Sequence, residues 1–93
     1  MLFFVVETFR GGDPRPVHRR FAERGRLLPE GVLYRGSWID AANARCFQIV
    51  EAPEREALQQ WLERWSDLID FDVIPVVEPA EYWARYTDAD APA

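Results

Sequence analysis

The 93 residues suffice for one domain and not for two. Hydrophobic residues make up 48% and charged residues 29%, which excludes an intrinsically disordered chain, and no apolar run approaches the roughly 20 residues of a membrane span. Sixteen acids against eleven bases, a net charge of -5, argue against a nucleic-acid partner held through phosphate contacts.

Leu2 to Phe9 predicts a strand apolar on both faces up to Glu7. Gly11-Gly12-Asp13-Pro14 breaks it; Asp13 suits an N-cap and Pro14 a first helical residue. The helix to about Arg24 turns Val17, Phe21 and Leu28 towards one side, and Gly25 stops it. Leu28-Pro29-Glu30-Gly31 reads as a type I turn, with proline second and glycine fourth. Val32 to Ile39 is a second strand interrupted by Gly36. After a loop over 40–44, Arg45 to Glu51 returns as a third, in which Cys46, Gln48 and Val50 alternate with Phe47 and Ile49.

Pro53 opens the strongest helix, where Leu58, Trp61, Leu62 and Trp65 form one face and Glu56, Gln60, Glu63 and Arg64 the other. Asp70 to Glu78 is a fourth strand, placed at a sheet edge by Pro75, which has no N–H to donate. Glu78-Pro79 begins a short helix with Tyr82, Trp83 and Tyr86, and 87–93 reads as a frayed, disordered acidic tail. The order β-α-β-β-α-β predicts an α+β, ferredoxin-like domain over 1–86. Its four-stranded antiparallel sheet runs 4-1-3-2, with two helices on one face.

Such a sheet leaves its other face bare. Phe3-Phe4-Val5-Val6 and Val73-Ile74 with Val76-Val77 put apolar groups on both sides. A wet face would alternate instead. The pattern therefore predicts a cover. A second copy in a homodimer is the expectation, with the C-terminal helix as the rival.

Pro29-Glu30-Gly31-Val32, Gly36-Ser37-Trp38 with Asp40, Trp61-Leu62 with Trp65 and Asp67, and Phe71-Asp72-Val73-Ile74-Pro75-Val76 resemble the short bacterial proteins grouped as domain of unknown function 3303. The likeness runs from about Met1 to Trp83. It implies a dimeric α/β barrel, in which two sheets stack face to face, within a superfamily that includes cofactor-free monooxygenases, muconolactone isomerase-like enzymes and small ligand-binding regulators. It carries over no catalytic residue.

Six arginines and two acids between Arg10 and Arg26 give a local +4. This reads either as a site for an anion or as a helix face paired with acids elsewhere. Cys46, the single cysteine, excludes an internal disulfide and a multi-thiolate metal site. With no basic, cleavable leader at the N-terminus, it points to the cytoplasm. In a central strand it reads as a small hydrophobe.

Four residues are the candidate ligand contacts. Glu7 ends the most apolar strand, where desolvation would raise its pKa, and Arg35 is a potential ion-pair partner. His18, the lone histidine, borders the buried stripe of its helix. Trp38 either walls a pocket or packs on the second helix. No metal-ligand spacing and no cofactor motif is present. The expected function is a small dimeric protein binding an apolar or weakly anionic molecule. The alternatives are a cofactor-independent monooxygenase- or isomerase-like enzyme and a structural or protein-interaction domain.

Overall fold

The computed structural model describes residues 1–86, so the predicted tail over 87–93 lies outside the described residues. Strand β1 (Leu2–Phe9) runs between β3 (Arg45–Glu51) and β4 (Ile69–Val76), antiparallel to both, and β2 (Leu33–Ile39) pairs with the outer side of β3. The order β2-β3-β1-β4 is the expected 4-1-3-2 read from the opposite edge. Helix α1 (Arg15–Arg24) joins β1 to β2 across β3, and α2 (Arg55–Glu63) joins β3 to β4 across β1. Both crossovers share one hand, so both helices cover the same face. Pro75 lies on β4, an edge strand that pairs only with β1, where a residue without an N–H is tolerated.

The two helices are seated differently. Helix α2 drives Ala57, Leu58, Trp61 and Leu62 into the core, followed by Trp65, against Phe3, Val5, Val50 and Ile69. Helix α1 buries no residue; Val17 is half-buried and Phe21 remains 42% exposed. Phe21 was expected in the buried stripe, but α1 is fastened at its margins rather than pressed onto the sheet. Arg20 grips Asp67 through two bonds of 2.7 and 2.6 Å and donates a third, of 3.0 Å, to the Arg64 carbonyl. Behind the helix, the indole N–H groups of Trp61 and Trp65 both donate to the Arg26 carbonyl at 2.9 Å. Arg64 donates to the next carbonyl, that of Leu27, at 2.7 Å. Leu27 holds a left-handed φ of 60° between these two anchored groups.

Local chemistry shifts two boundaries. Pro14 takes the N-cap position and Asp13 sits one residue earlier, where its carboxylate accepts the Arg15 N–H at 3.0 Å. The turn before β2 closes from the Val32 N–H to the Pro29 carbonyl. Gly31 is thus third rather than fourth, with φ 85°, a position that asks for glycine. Gly25 does end α1, its N–H bonding to the Phe21 carbonyl at 2.8 Å.

The face away from the helices is mainly apolar, with Asp72 of β4 exposed beside Val6. Leu2, Phe4 and Val6 of β1 lie beside Phe47 and Ile49 of β3 and Ile74 and Val76 of β4, and Phe4 and Phe47 stack at 6.0 Å. Leu33 and Trp38 extend the patch along β2, 52% and 62% exposed. Ion pairs edge it: Arg35 with Glu51, Arg45 with Asp40 and Arg10 with Asp70. Helix α3 (Pro79–Trp83) adds nothing to the core, and Tyr82, Trp83 and Tyr86 pack on one another. Arg10, Arg15 and Arg20 of the basic segment pair with Asp70, Asp13 and Asp67. Among the described residues no helix is long and apolar enough to cross a membrane.

Candidate functional site

Because α1 is fastened at its margins, space remains beneath it: a pocket of about 330 Å³ between that helix, the sheet and the two tryptophans of α2 and its end. Val17, Phe21 and His18 form its helical wall, Phe9 and Ile69 one side, and Trp61 and Trp65 its inner end. The sheet supplies the floor. Strand parity brings Glu7 of β1 and Cys46 and Gln48 of β3 to the helix side, with Ser37 and Ile39 of β2 in register with Gln48 and Cys46.

Polar atoms are few in this floor and are held by one another. Glu7 is only 4% exposed and Gln48 8%. The Gln48 amide donates Nε2–H to the Glu7 carboxylate, the orientation that suits the ionised form, which has no donor of its own. Its Oε1 therefore points elsewhere, buried and without a partner among the described residues. Burial raises the Glu7 pKa from 4.5 to about 7, although the Gln48 hydrogen bond and the charge of Arg26 act in the opposite direction. Near neutral pH this carboxyl is thus divided between its two protonation states. Cys46, beside it, has its thiol pushed up to about 12, chiefly by burial and then by the negative charge of Glu7. It is a small core residue and not a nucleophile.

The four expected contacts divide. Glu7 and His18 come together in the pocket, Glu7 at its floor and His18 exposed on the outer wall. Arg35 and Trp38 do not. Between Tyr34 and Gly36 the β2–β3 register slips by one residue. This bulge reverses the parity of the rest of the strand. Trp38 consequently lies on the helix-free face, its ring against Gly36, where an added Cβ would come within 3.3 Å of it. It neither walls the pocket nor packs on α2. Arg35, at the bulge, bonds Glu51 at 2.8 Å and not Glu7.

Gln48, Ser37 and Arg26 are pocket residues that sequence reasoning missed. For Gln48 a signal existed, since its parity with Cys46 and Val50 places an amide on the buried side of a central strand. Arg26 left none: it lines the pocket with its guanidinium 3.6 Å from the Tyr34 ring centroid, a placement made by the loop. Among the described residues no group of histidine, cysteine and acidic side chains is arranged to hold a metal ion.

Comparison with known families adds one finding. The sequence model of a family described as "Domain of unknown function (DUF3303)" matches residues 1–89. The chain belongs to this family. No curated protein matches it significantly. Membership in the DUF3303 family agrees with the resemblance along Pro29–Val32 and Phe71–Val76, and it brings no activity with it.

Proposed function

We propose that this DUF3303 protein is a homodimeric binding module for a small, mainly apolar molecule, held between α1 and the sheet. The observation that carries this reading is the pocket beneath α1, mostly aromatic and aliphatic, with a single desolvated carboxyl–amide pair at its floor. About 330 Å³ is at the lower end of ligand-pocket volumes, which begin near about 300 Å³, and suits a molecule built on one ring. Few polar groups inside apolar walls orient a ligand rather than merely retain it. The buried carboxyl of Glu7 in an otherwise mainly apolar lining favours an apolar over an anionic occupant.

The dimer follows from the opposite face. Phe4, Phe47 and Ile49 are half-buried and Ile74 and Trp38 are 44% and 62% exposed, so covering them would gain a part of the about 1.5–3 kcal/mol that full burial of each side chain is worth. Total stabilities are only roughly 5–15 kcal/mol. A second copy presents the same apolar centre, edged by arginines and acids already paired within the chain. The unpaired cysteine is in keeping with a reducing cytoplasm.

Binding is tested by titrating the protein with cyclohexanol and following the indole N–H signals of Trp61 and Trp65 by NMR. Saturable shifts at millimolar or lower concentration, abolished by the pocket-filling Val17→Phe, support the reading. Unmoved indole signals refute it. One observation favours a second reading, proton transfer by Glu7 to or from the bound molecule: its pKa lies close to working pH. Exchange of an acidic C–H of a bound ketone into deuterated water, lost in Glu7→Gln, would mark the protein as an enzyme.

A further inference from the structure

We infer that the pocket beneath α1 takes up its apolar occupant together with a proton carried by Glu7, so that occupancy rises as pH falls. The inference rests on the pocket reading above and adds the regulation of that site.

Glu7 is the one acid among the described residues that line the pocket, and its charged form is poorly provided for. The residue is buried, and its single hydrogen bond among the described residues comes from the neutral Gln48 amide. Arg26 also lines the pocket, but its guanidinium lies over the Tyr34 ring and acts on Glu7 through charge alone. The ionised pair is also incomplete in itself. A carboxylate has no hydrogen to give, so Gln48 Oε1 stays buried without a partner. A carboxylic acid and an amide laid side by side can exchange two hydrogen bonds, a carboxylate and an amide only one. The proton therefore removes a buried charge and supplies the donor that the pair lacks.

An apolar occupant sharpens this preference. Solvent that enters a space of about 330 Å³ hydrates the carboxylate lining it. A ring-sized apolar molecule displaces that water and offers nothing in its place, which penalises the charged form and leaves the neutral one almost untouched. The effect is reciprocal: a molecule that binds the protonated form better raises the affinity for the proton by the same factor. The other groups around Glu7 do not produce this sign. Arg26, from the loop, keeps its charge throughout. Cys46 of β3, its thiol pushed up to about 12, stays neutral. Phe71 of β4 is the neighbour of Glu7 on its other side, and α2 and its end present Trp61 and Trp65. His18 of α1 is on the outer wall, and a histidine gains charge as pH falls, which works against an apolar occupant.

The probe is cyclohexanol, neutral at every pH used, titrated by NMR at pH 6, 7 and 8 and followed through the indole N–H signals of Trp61 and Trp65. With Glu7 titrating at about 7 and only its protonated form binding, about one chain in eleven is competent at pH 8, so binding should be about tenfold weaker there than at pH 6. Conversely, cyclohexanol at about ten times its dissociation constant should raise the midpoint of the Glu7 carboxyl carbon-13 titration by about one pH unit. In Glu7→Gln, uncharged throughout, the pH dependence should vanish; in His18→Gln it should persist. Equal binding at pH 6 and pH 8, or a Glu7 midpoint that cyclohexanol does not move, overturns the inference and leaves the pocket reading standing. A dependence lost in His18→Gln and kept in Glu7→Gln assigns the proton to the histidine and overturns it too. Binding at no pH overturns both.

Discussion

Glu7→Gln is expected to stabilise the protein at alkaline pH and to flatten its stability–pH curve. In the folded chain the Glu7 carboxyl titrates near pH 7, against 4.5 for an ordinary glutamate, because burial penalises the charged form more than Gln48 and Arg26 favour it. The folded state therefore holds a proton that the unfolded chain releases, so stability falls as pH rises above 4.5 and the loss levels off above 7. One pKa unit corresponds to about 1.4 kcal/mol, so this one group removes roughly 2.5 kcal/mol between pH 5 and pH 8. Glutamine keeps an acceptor for the Gln48 Nε2–H and has no charge to bury. The assay is urea denaturation of both proteins at several pH values and one fixed protein concentration, since a dimer's stability depends on it. The curves should lie close together at pH 5 and separate by about 2 kcal/mol at pH 8, with the variant more stable. Parallel curves across this range would refute the desolvation of Glu7. The range stops at pH 5 because Asp13 and Asp40, lowered to about 2 by hydrogen bonds centred on Arg15 and on Ala42 and Arg45, act oppositely: what they contribute is present above about pH 4 and lost as pH falls towards 2.

Other consequences are as direct. Phe47→Asp places a charge in the middle of the helix-free face; in analytical ultracentrifugation the native protein should sediment as a dimer and the variant as a folded monomer. Arg20→Ala removes both bonds to Asp67 and the bond to the Arg64 carbonyl. Hydrogen exchange in α1 should then accelerate several-fold with α2 unaffected, at a global cost of about 1 kcal/mol for a partly exposed pair. Gly31→Ala should cost about 1–2 kcal/mol in thermal denaturation. The new Cβ would make ordinary contact with Pro53 at 3.4 Å, so the strain is that of φ 85° alone. Cys46 should resist iodoacetamide at pH 8 in the folded protein and react at once in urea.

The sequence was legible where periodicity is strict. The strand of Leu2–Phe9, the alternation of Cys46, Gln48 and Val50 with Phe47 and Ile49, the helical stripe of Leu58, Trp61 and Leu62, and the edge-seeking Pro75 all act through local geometry. They sufficed for the order of elements and the pairing of strands. The apolar character of both sheet faces was equally open to view. The site was legible only by half. Glu7 follows from its place on the central strand, but Trp38 and Arg35 depend on a one-residue bulge that reverses parity, and its only trace in the chain is Gly36. The height of α1 above the sheet is set by Arg20, Arg64 and the shared Arg26 carbonyl, contacts between residues 35 or more apart in the chain. A moment of apolar residues predicts which side of a helix faces the core and says nothing of how closely it approaches.

The most direct measurement on the central claim is the set of nuclear Overhauser effects from saturating cyclohexanol to the methyl groups of the protein. Contacts to Val17, Ile39 and Ile69, which line the space beneath α1, are the predicted result. Contacts confined to Leu2, Ile49, Ile74 and Val76 would place the small molecule on the opposite side of the sheet and contradict the account.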